Sequence, residues 1–195
     1  MKPLSLSVPR VIFVSGIPGA GKTRFAEKFA ETFCAPFVHD AQLRSLLQLD
    51  SAAQVDTLSL HILGELLKTQ KTVVVETNTG LKRQRQSLTK FVKSHGYEPM
   101  FVWIQTDEAT ARQRRSRGVD ALSDDQFAAA VKKFTPFSSD EEPVVVSGKH
   151  TYATQARTVL RRLAEPRIAE ETTPQIVSRQ AAPLPSRPST SIKIS

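Results

Sequence analysis

The chain has 195 residues, of which 39% are hydrophobic, and a formal net charge of +8. This length and apolar content fit one compact domain and leave little room for a second. A single cysteine, Cys34, excludes an internal disulfide, and the lack of a long apolar run or a signal-peptide pattern predicts a cytoplasmic protein with no membrane partner.

Apolar runs alternate with segments of helical periodicity, which is typical of an α/β fold with a five-stranded parallel sheet and helices on both faces. The predicted strands are residues 10–15, 36–39, 72–76, 100–105 and 143–147. The predicted helices are residues 22–33, 42–49, 52–69, 81–95, 108–117, 124–134 and 152–163. We therefore predict that residues 9–164 form one domain. We also predict that Cys34, at the end of the first helix, is buried. Residues 165–195 are rich in Pro, Ser and Thr, and this composition predicts a flexible tail.

The first predicted strand runs directly into the sequence GIPGAGKT, which is the pattern of a phosphate-binding loop. Its members are Gly16, Ile17, Pro18, Gly19, Ala20, Gly21, Lys22 and Thr23. The glycines let backbone amides approach a β-phosphate, and the following helix points its positive end at the anion. Lys22 would place a charge between the β- and γ-phosphates, and Thr23 would give its hydroxyl to Mg²⁺. The flanking strand and helix argue against a mere glycine-rich turn.

Polar residues follow the second predicted strand, at the sheet edge where a parallel sheet binds its ligand. Asp40 is suited to take a proton from an acceptor hydroxyl opposite a γ-phosphate, or it is the N-cap of a helix beginning at residue 42. Arg44, one turn later, would hold an anionic group of the acceptor, or it is a surface arginine. The phosphate-binding loop favours the functional interpretation of Asp40.

The third predicted strand ends in Glu76, Thr77 and Asn78. The neutral side chains of Thr77 and Asn78 are candidates for contact with phosphate or with water bound to the metal, and they could equally cap the next helix. Glu76 is a candidate carboxylate behind the metal, provided that strand alternation does not turn it away from the site.

Four arginines lie close together after the fourth predicted strand, at positions 112, 114, 115 and 117. Arginine donors stabilise the charge on a transferring phosphoryl group without proton chemistry. On a helix, Arg112 and Arg115 share one face and Arg114 and Arg117 another, so only about half of them can reach one phosphate chain. We favour Arg114 and Arg117, followed by a helix break at Gly118 and a mobile lid at residues 119–122.

The positive charge is concentrated between residues 82 and 117, which contain nine Lys and Arg residues against three Asp and Glu residues. Such a cluster steers polyanions such as nucleic acid, or it is the outer face of two solvated helices. Trp103 lies in an apolar strand, so we expect it to pack in the core rather than to stack on a base.

Several segments together resemble a family, the small P-loop kinases typified by the 5′-kinase domain of polynucleotide kinases, within the AAA-type ATP-binding proteins. The resemblance runs over residues 11–146. It rests on the segments VIFVSGIPGAGKT, VHDAQLR, VVVETNTGLKRQRQ, FVWIQTDEATARQRRSRG and FAAAVKKFTPFSSDEEP.

This resemblance implies a P-loop NTPase fold of the nucleotide-kinase type, ATP and Mg²⁺ as cofactors, Asp40 as general base, Arg44 on the substrate and lid arginines on the phosphate. It also implies a hydroxyl acceptor, with the 5′-hydroxyl of a nucleic acid as the leading candidate because the basic charge agrees with it. A small-molecule kinase acting on a nucleoside or metabolite is the first alternative. A nucleotide-binding switch that hydrolyses ATP slowly is the second.

Overall fold

The structure is a computed structural model that describes residues 8–116 and 122–165. In these residues the strands are Arg10–Ser15 (β1), Phe37–His39 (β2), Val73–Glu76 (β3), Glu98–Gln105 (β4) and Val144–Ser147 (β5). The helices are Lys22–Phe33 (α1), Asp40–Leu47 (α2), Ala52–Leu67 (α3), Lys82–Ser94 (α4), Glu108–Ser116 (α5), Asp124–Lys133 (α6) and Tyr152–Ala164 (α7). A 3₁₀ turn lies at Ser139–Glu141.

The strands form one parallel sheet in the order β2-β3-β1-β4-β5. β1 is therefore the central strand, and the loop that follows it lies at the middle of the row formed by the carboxyl ends of the strands. The loops after β2 and β3 lie on one side of that loop, and those after β4 and β5 lie on the other. This arrangement brings the chemistry-bearing residues of the sequence to one edge of the sheet.

Side chains of the central strand alternate between two buried layers, because successive residues of a strand point to opposite faces. Ile12 and Val14 join the layer that contains Phe25 and Phe29 of α1 and Val159 of α7. Val11 and Phe13 join a second layer, which contains residues of α3 and α4. Both faces of the sheet are thus covered, and the predicted fold class is confirmed.

The predicted bounds of strands and helices agree best with the structure where a run of buried apolar residues is followed directly by a polar motif. β1 and α1 have the bounds that the sequence predicts. α2 begins at residue 40 instead of 42, and it contains no buried residue, so the sequence has no apolar periodicity that could fix its start. The predicted lid and tail lie outside the described residues, apart from Leu122 and Glu165.

The prediction that Cys34 is buried is wrong. Cys34 is exposed and ends α1 with a φ of 50°, in the left-handed region. Its backbone N–H closes the last helical turn by bonding to the carbonyls of Ala30 and Glu31. Its position is set by this terminal turn, and not by the apolar face of the helix.

Candidate active site

The phosphate-binding loop connects β1 to α1, as the sequence predicts, and it packs closely against α5. Gly19 has a φ of 77°, and a Cβ atom at this position would collide with the backbone carbonyl of Ala111. Ala111 itself is fully buried. Glycine is therefore required at position 19 both for its backbone conformation and for the contact with α5. This contact decides which face of α5 lies against the loop.

Lys22 begins α1 and lies between the loop and β3. Its Nζ donates to the carbonyl of Ile17 at 3.2 Å and lies 4.0 Å from Oε1 of Glu76. Burial lowers the pKa of Lys22, the Glu76 carboxylate raises it, and the positive charge of Arg115 lowers it again. A phosphate chain in the loop would add negative charge close to this partly buried ammonium.

Glu76 is buried at the carboxyl end of β3 and points towards the loop, so strand alternation does not turn it away. Its Oε1 accepts a hydrogen bond from Thr23 Oγ1 at 3.2 Å. Its Oε2 is buried without a hydrogen-bond partner among the described residues, and Nε2 of His39 lies 3.7 Å away. A hydroxyl beside a carboxylate with a free oxygen is a donor set that suits Mg²⁺, which prefers oxygen ligands. The residues present thus fit this cation.

Asp40 is the first residue of α2, and both of its carboxylate oxygens are held by hydroxyl groups. Ser59 Oγ donates to Oδ1 at 2.5 Å, and Thr77 Oγ1 donates to Oδ2 at 2.7 Å. The N-cap alternative is wrong, because His39 occupies that position. Asp40 is only half-buried, yet its carboxylate has a fixed orientation.

Opposing effects act on the pKa of Asp40. Burial raises it above its usual value of 3.8, and the hydrogen bonds from Ser59 and Thr77 lower it. The charge of Asp56, one turn before Ser59 on α3, raises it, and the backbone N–H of Asn78 lowers it. The net direction is upward, which makes the carboxylate a stronger base than an exposed aspartate.

The other residues that we predicted to contact the substrate or the phosphates, Thr77, Asn78 and Arg44, follow β2 or β3, as Asp40 does. Thr77 binds Asp40, and Asn78 is exposed with its backbone N–H near the same carboxylate. Neither residue caps α4, because Leu81 has that position. Arg44 is exposed on α2, and its guanidinium forms no hydrogen bond or ion pair with another described residue.

Two of the three arginines of α5 form hydrogen bonds with other parts of the protein. Arg112 donates to Glu108 at 3.1 Å and to Asp124 at 2.7 Å. Arg114, which we favoured from the sequence, is exposed and donates to the carbonyl of Gly148 at 3.0 Å. Arg112 thus links α5 to α6, and Arg114 links α5 to the loop after β5.

Arg115 approaches the phosphate-binding loop. It lies one helical turn after Ala111, the residue that contacts Gly19, and its charge acts on the pKa of Lys22. Its Nε is buried without a hydrogen-bond partner among the described residues. Arg117, the other arginine that we favoured, lies outside the described residues. Among the described arginines of α5, Arg115 is thus the one whose charge acts on Lys22 of the phosphate-binding loop.

Our sequence analysis did not single out Ser59, and it weighed Arg115 but favoured Arg114 and Arg117. For Ser59 a signal existed, since residues 55, 59, 63 and 67 form the buried stripe of α3 and Ser59 is its one polar member. A buried hydroxyl on an apolar stripe requires a hydrogen-bond partner, and here the partner is Asp40. The choice between Arg114 and Arg115 depends on the contact of α5 with Gly19, which no local pattern reveals.

Three of the nine basic residues of the cluster, Lys82, Arg85 and Arg112, form ion pairs within the described part of the protein. Lys82 pairs with Asp140 at 2.9 Å, and Arg85 pairs with Glu141 at 2.6 Å. Arg112 has the two carboxylate partners described above. These pairs lower the charge that the cluster presents to a polyanion, so they weaken the interpretation of residues 82–117 as a nucleic-acid surface.

The site geometry agrees with the comparison of the sequence with known families. Residues 11–137 match the family described as AAA domain. The chain belongs to this family. Its match begins in β1 and extends through the aromatic segment after α6, so it includes the phosphate-binding loop, Asp40, Glu76 and the arginines of α5. A comparison with curated protein sequences gives no match.

Solved structures share the fold of this AAA domain. A gluconokinase from Sinorhizobium meliloti 1021 is 21% identical with a TM-score of 0.62, over 80% of this chain and 93% of that chain. The APS kinase CysC of Mycobacterium tuberculosis, in complex with AMPPNP and APS, is 18% identical with a TM-score of 0.63, over 81% and 99%. Kti12 of Chaetomium thermophilum, in complex with ADP-AlF₃, is 16% identical with a TM-score of 0.60, over 78% and 96%.

These comparisons support an AAA-type P-loop kinase fold, and they do not show the narrower resemblance to polynucleotide kinases. Their sequence identities are low, so they establish the fold of the AAA domain and leave its acceptor to other observations. None of the helices in residues 8–116 and 122–165 has the length and apolarity required to cross a membrane.

Proposed function

We propose that this AAA domain transfers the γ-phosphate of ATP, with Mg²⁺, to a hydroxyl group of a small molecule. The family, the P-loop kinase fold and the phosphate-binding loop support the phosphotransfer part. The neighbours named gluconokinase and APS kinase support a small acceptor. The small-molecule kinase was an alternative to the 5′-hydroxyl of a nucleic acid in the sequence analysis, and it is now the preferred interpretation.

The held carboxylate of Asp40 carries this proposal. A nucleotide switch does not require a base whose two oxygens are both fixed by hydroxyl donors, whereas transfer to a hydroxyl does. Asp40 would accept the proton of the acceptor hydroxyl as its oxygen attacks the γ-phosphorus and the bond to the β-γ bridging oxygen breaks. Ser59 and Thr77 would keep the carboxylate directed at that proton.

The other side of the site would bind and stabilise the phosphates. Thr23 and Glu76 would hold Mg²⁺, which when bound neutralises charge on the β- and γ-phosphate oxygens. Lys22 would lie against the same oxygens. Arg115 would donate a hydrogen bond to the transferring phosphoryl group. Its Nε has no partner among the described residues, whereas Arg114 already donates to the carbonyl of Gly148, so Arg115 is the better candidate for this role.

Charge around Asp40 favours a small acceptor over a nucleic acid. Helices α2 and α3 and the turn between them carry Asp40, Asp50 and Asp56 against one arginine, Arg44, whereas Glu65 is paired with Lys68 directly after α3. A phosphate backbone would be repelled by this set of charges. A small molecule with a single anionic group could instead bind Arg44 while presenting its hydroxyl to Asp40.

The experiment is transfer of labelled γ-phosphate from ATP with Mg²⁺ to four separate acceptor pools. These are sugar acids and polyols, nucleosides, 5′-hydroxyl RNA oligonucleotides and 5′-hydroxyl DNA oligonucleotides. We expect label on a small molecule, with transfer lost in Arg44→Gln when the acceptor is anionic.

Three results discriminate among the interpretations. Label on small molecules supports the proposal. Label on an oligonucleotide, with binding that weakens steeply as salt is added, would establish the nucleic-acid interpretation instead. Nucleotide binding without transfer to any pool would favour the switch.

A further inference from the structure

A histidine lies beside the carboxylate that the proposed function assigns to the metal ion. β2 and β3 pair in parallel with His39 opposite Glu76, so both side chains leave the sheet on the same face. Nε2 of His39 lies 3.7 Å from Oε2 of Glu76, and the two side chains are only 14% and 11% exposed. The register of the two strands therefore fixes an imidazole next to this carboxylate.

Oε2 of Glu76 is a buried atom without a partner. Oε1 of the same carboxylate accepts a hydrogen bond from Thr23, whereas Oε2 accepts none from the residues that the structure describes. The 3.7 Å to Nε2 of His39 exceeds the length of an N–H···O hydrogen bond, which is about 2.7–3.2 Å. Buried polar atoms nearly always have a partner, so this oxygen indicates a ligand that binds between the two side chains.

The spacing of the two atoms suits a shared metal ion. Bonds from a divalent transition metal to a carboxylate oxygen or an imidazole nitrogen are about 2.0–2.2 Å long, so two ligands of one ion lie at most about 4 Å apart. The 3.7 Å between Oε2 and Nε2 is within this limit. The ring of His39 also has a fixed orientation, because it stacks on Phe37 with 5.5 Å between centroids and 17° between planes.

Two side chains do not complete a metal site. Residues 8–116 and 122–165 contain no group of three or more His, Cys, Asp or Glu residues that could hold a metal ion. The hydroxyl of Thr23 adjoins the carboxylate, and it would supply a further ligand together with the phosphate oxygens of a nucleotide and water. We therefore expect the ion to bind tightly only together with the nucleotide.

We infer that His39 is a direct ligand of the metal ion at Glu76 and makes the site select a divalent transition-metal ion over Mg²⁺. An imidazole nitrogen is a good ligand for ions such as Co²⁺ and Zn²⁺, whereas Mg²⁺ prefers oxygen ligands. Glu76 would bind either kind of ion, and His39 would bind only the transition metal. This inference rests on the proposed function for the location of the ion, and it adds the chemical class of the ion.

Calorimetric titrations of Co²⁺ and of Mg²⁺ into the full-length protein with AMPPNP test this selectivity. His39→Phe removes the nitrogen and keeps a ring that can stack on Phe37. We expect it to weaken Co²⁺ binding by about tenfold or more and to leave Mg²⁺ binding unchanged. The matched control is His95→Phe, because His95 is an exposed histidine whose ring also packs on a phenylalanine, Phe91. It should change neither affinity.

Proton NMR of the Co²⁺ complex detects the bond itself. Co²⁺ is paramagnetic, so the ring protons of a histidine bonded to it resonate far outside the ordinary range. We expect the signals of one such histidine in the wild type and in His95→Phe, and none in His39→Phe.

Two results would overturn the inference. One is the absence of a shifted histidine in the wild type with Co²⁺ and AMPPNP. The other is an equal effect of His39→Phe on the Co²⁺ and Mg²⁺ affinities, since His39 would then support Glu76 or the fold without binding the ion. These measurements involve no phosphate transfer. A failure of the proposed function would instead leave every acceptor pool unlabelled while Co²⁺ and AMPPNP still bind.

Discussion

Asp40 shows how neighbouring residues set the pKa of a single carboxyl group in opposite directions. Ser59 donates a hydrogen bond that favours the carboxylate, whereas the charge of Asp56 disfavours it. Ser59→Ala should therefore raise the pKa of Asp40 further, and Asp56→Asn should lower it. The acid limb of the transfer rate against pH should move up with the first variant and down with the second.

A ¹³C NMR titration of the Asp40 carboxyl measures both shifts directly. Thr57→Ala is the control, because Thr57 is an exposed residue of the same helix whose hydroxyl bonds to the carbonyl of Ala53. It should leave the pKa of Asp40 unchanged. Shifts of the same sign in Ser59→Ala and Asp56→Asn would contradict the assigned environment of Asp40.

A substitution of Glu76 tests whether this carboxylate contributes to Mg²⁺ binding. Glu76→Gln keeps the size of the side chain and removes the charge that faces Thr23 and Lys22. We expect the affinity for Mg²⁺ in the presence of AMPPNP to fall by about tenfold or more. Calorimetric titration of Mg²⁺ measures it, with Glu65→Gln as the control at an exposed glutamate. Equal affinities in the two variants would remove Glu76 from the metal site.

The arginines of α5 form a matched series. We expect Arg115→Gln to lower kcat about 10²-fold or more, since it would remove a donor to the transferring phosphate. Arg114→Gln should lower kcat less than about tenfold, because that side chain bonds to the carbonyl of Gly148. Steady-state kinetics with saturating ATP decide between them. A larger loss in Arg114→Gln would restore the choice that we made from the sequence.

At the scale of elements, Arg85 joins α4 to the segment that follows α6. Its side chain is 1% exposed, and it binds Glu141 through Nε and Nη2 at 2.6 and 2.9 Å. It also donates to the carbonyls of Thr79, Thr135 and Pro136. One buried side chain thus connects the loop after β3 with the segment between α6 and the 3₁₀ turn.

Loss of this connection should be costly, because the buried carboxylate of Glu141 would keep its hydrogen bonds from Ser138 and lose its only charged partner among the described residues. We expect Arg85→Met to lower the free energy of unfolding by about 3–5 kcal/mol in denaturant titrations. The control Arg162→Met removes pairs with exposed glutamates and should cost less than about 1 kcal/mol. The double variant Arg85→Met with Glu141→Met should recover part of the loss. Equal stability of Arg85→Met and the wild type would refute this account.

The elements also show what the sequence could and could not predict. The alternation of strands and helices follows from hydrophobic periodicity, and the phosphate-binding loop follows from a motif that needs each of its residue types. Trp103 belongs to neither buried layer and packs on Phe134 and Phe137 instead, a detail that its apolar surroundings in the sequence could not predict. The 3₁₀ turn at Ser139–Glu141 depends on Arg85, more than 50 residues earlier, so local sequence could not predict it.

At the scale of the whole molecule, the central position of β1 divides the sheet edge into two sides. The loop after β1 carries the phosphate-binding motif, and Asp40 and Thr77 lie towards β2 and β3. A cavity lined by Trp103 and Phe134 lies towards β4 and β5. A phosphate chain over the loop would thus lie between the carboxylate of Asp40 on one side and the side chains of Trp103 and Phe134 on the other. That division is what a donor and an acceptor on opposite sides of a transferring group require.

The charge distribution belongs to the same scale. The net charge of +8 suggested a polyanionic partner, yet several basic residues of the cluster are bound to carboxylates within the fold. Sequence position could not reveal this pairing, because the partners of Lys82 and Arg85 lie in the segment after α6. A small acceptor therefore agrees better with the surface than a nucleic acid does.

The most direct test of phosphotransfer through Asp40 is a single-turnover measurement with Asp40→Asn. In the same preparations, ATP binding and γ-phosphate transfer to the acceptor found in the panel are measured together, with the exposed Asp50→Asn as control. We predict transfer slowed by at least about 10²-fold, with ATP affinity unchanged. Transfer by Asp40→Asn at the rate of the wild type would contradict the account.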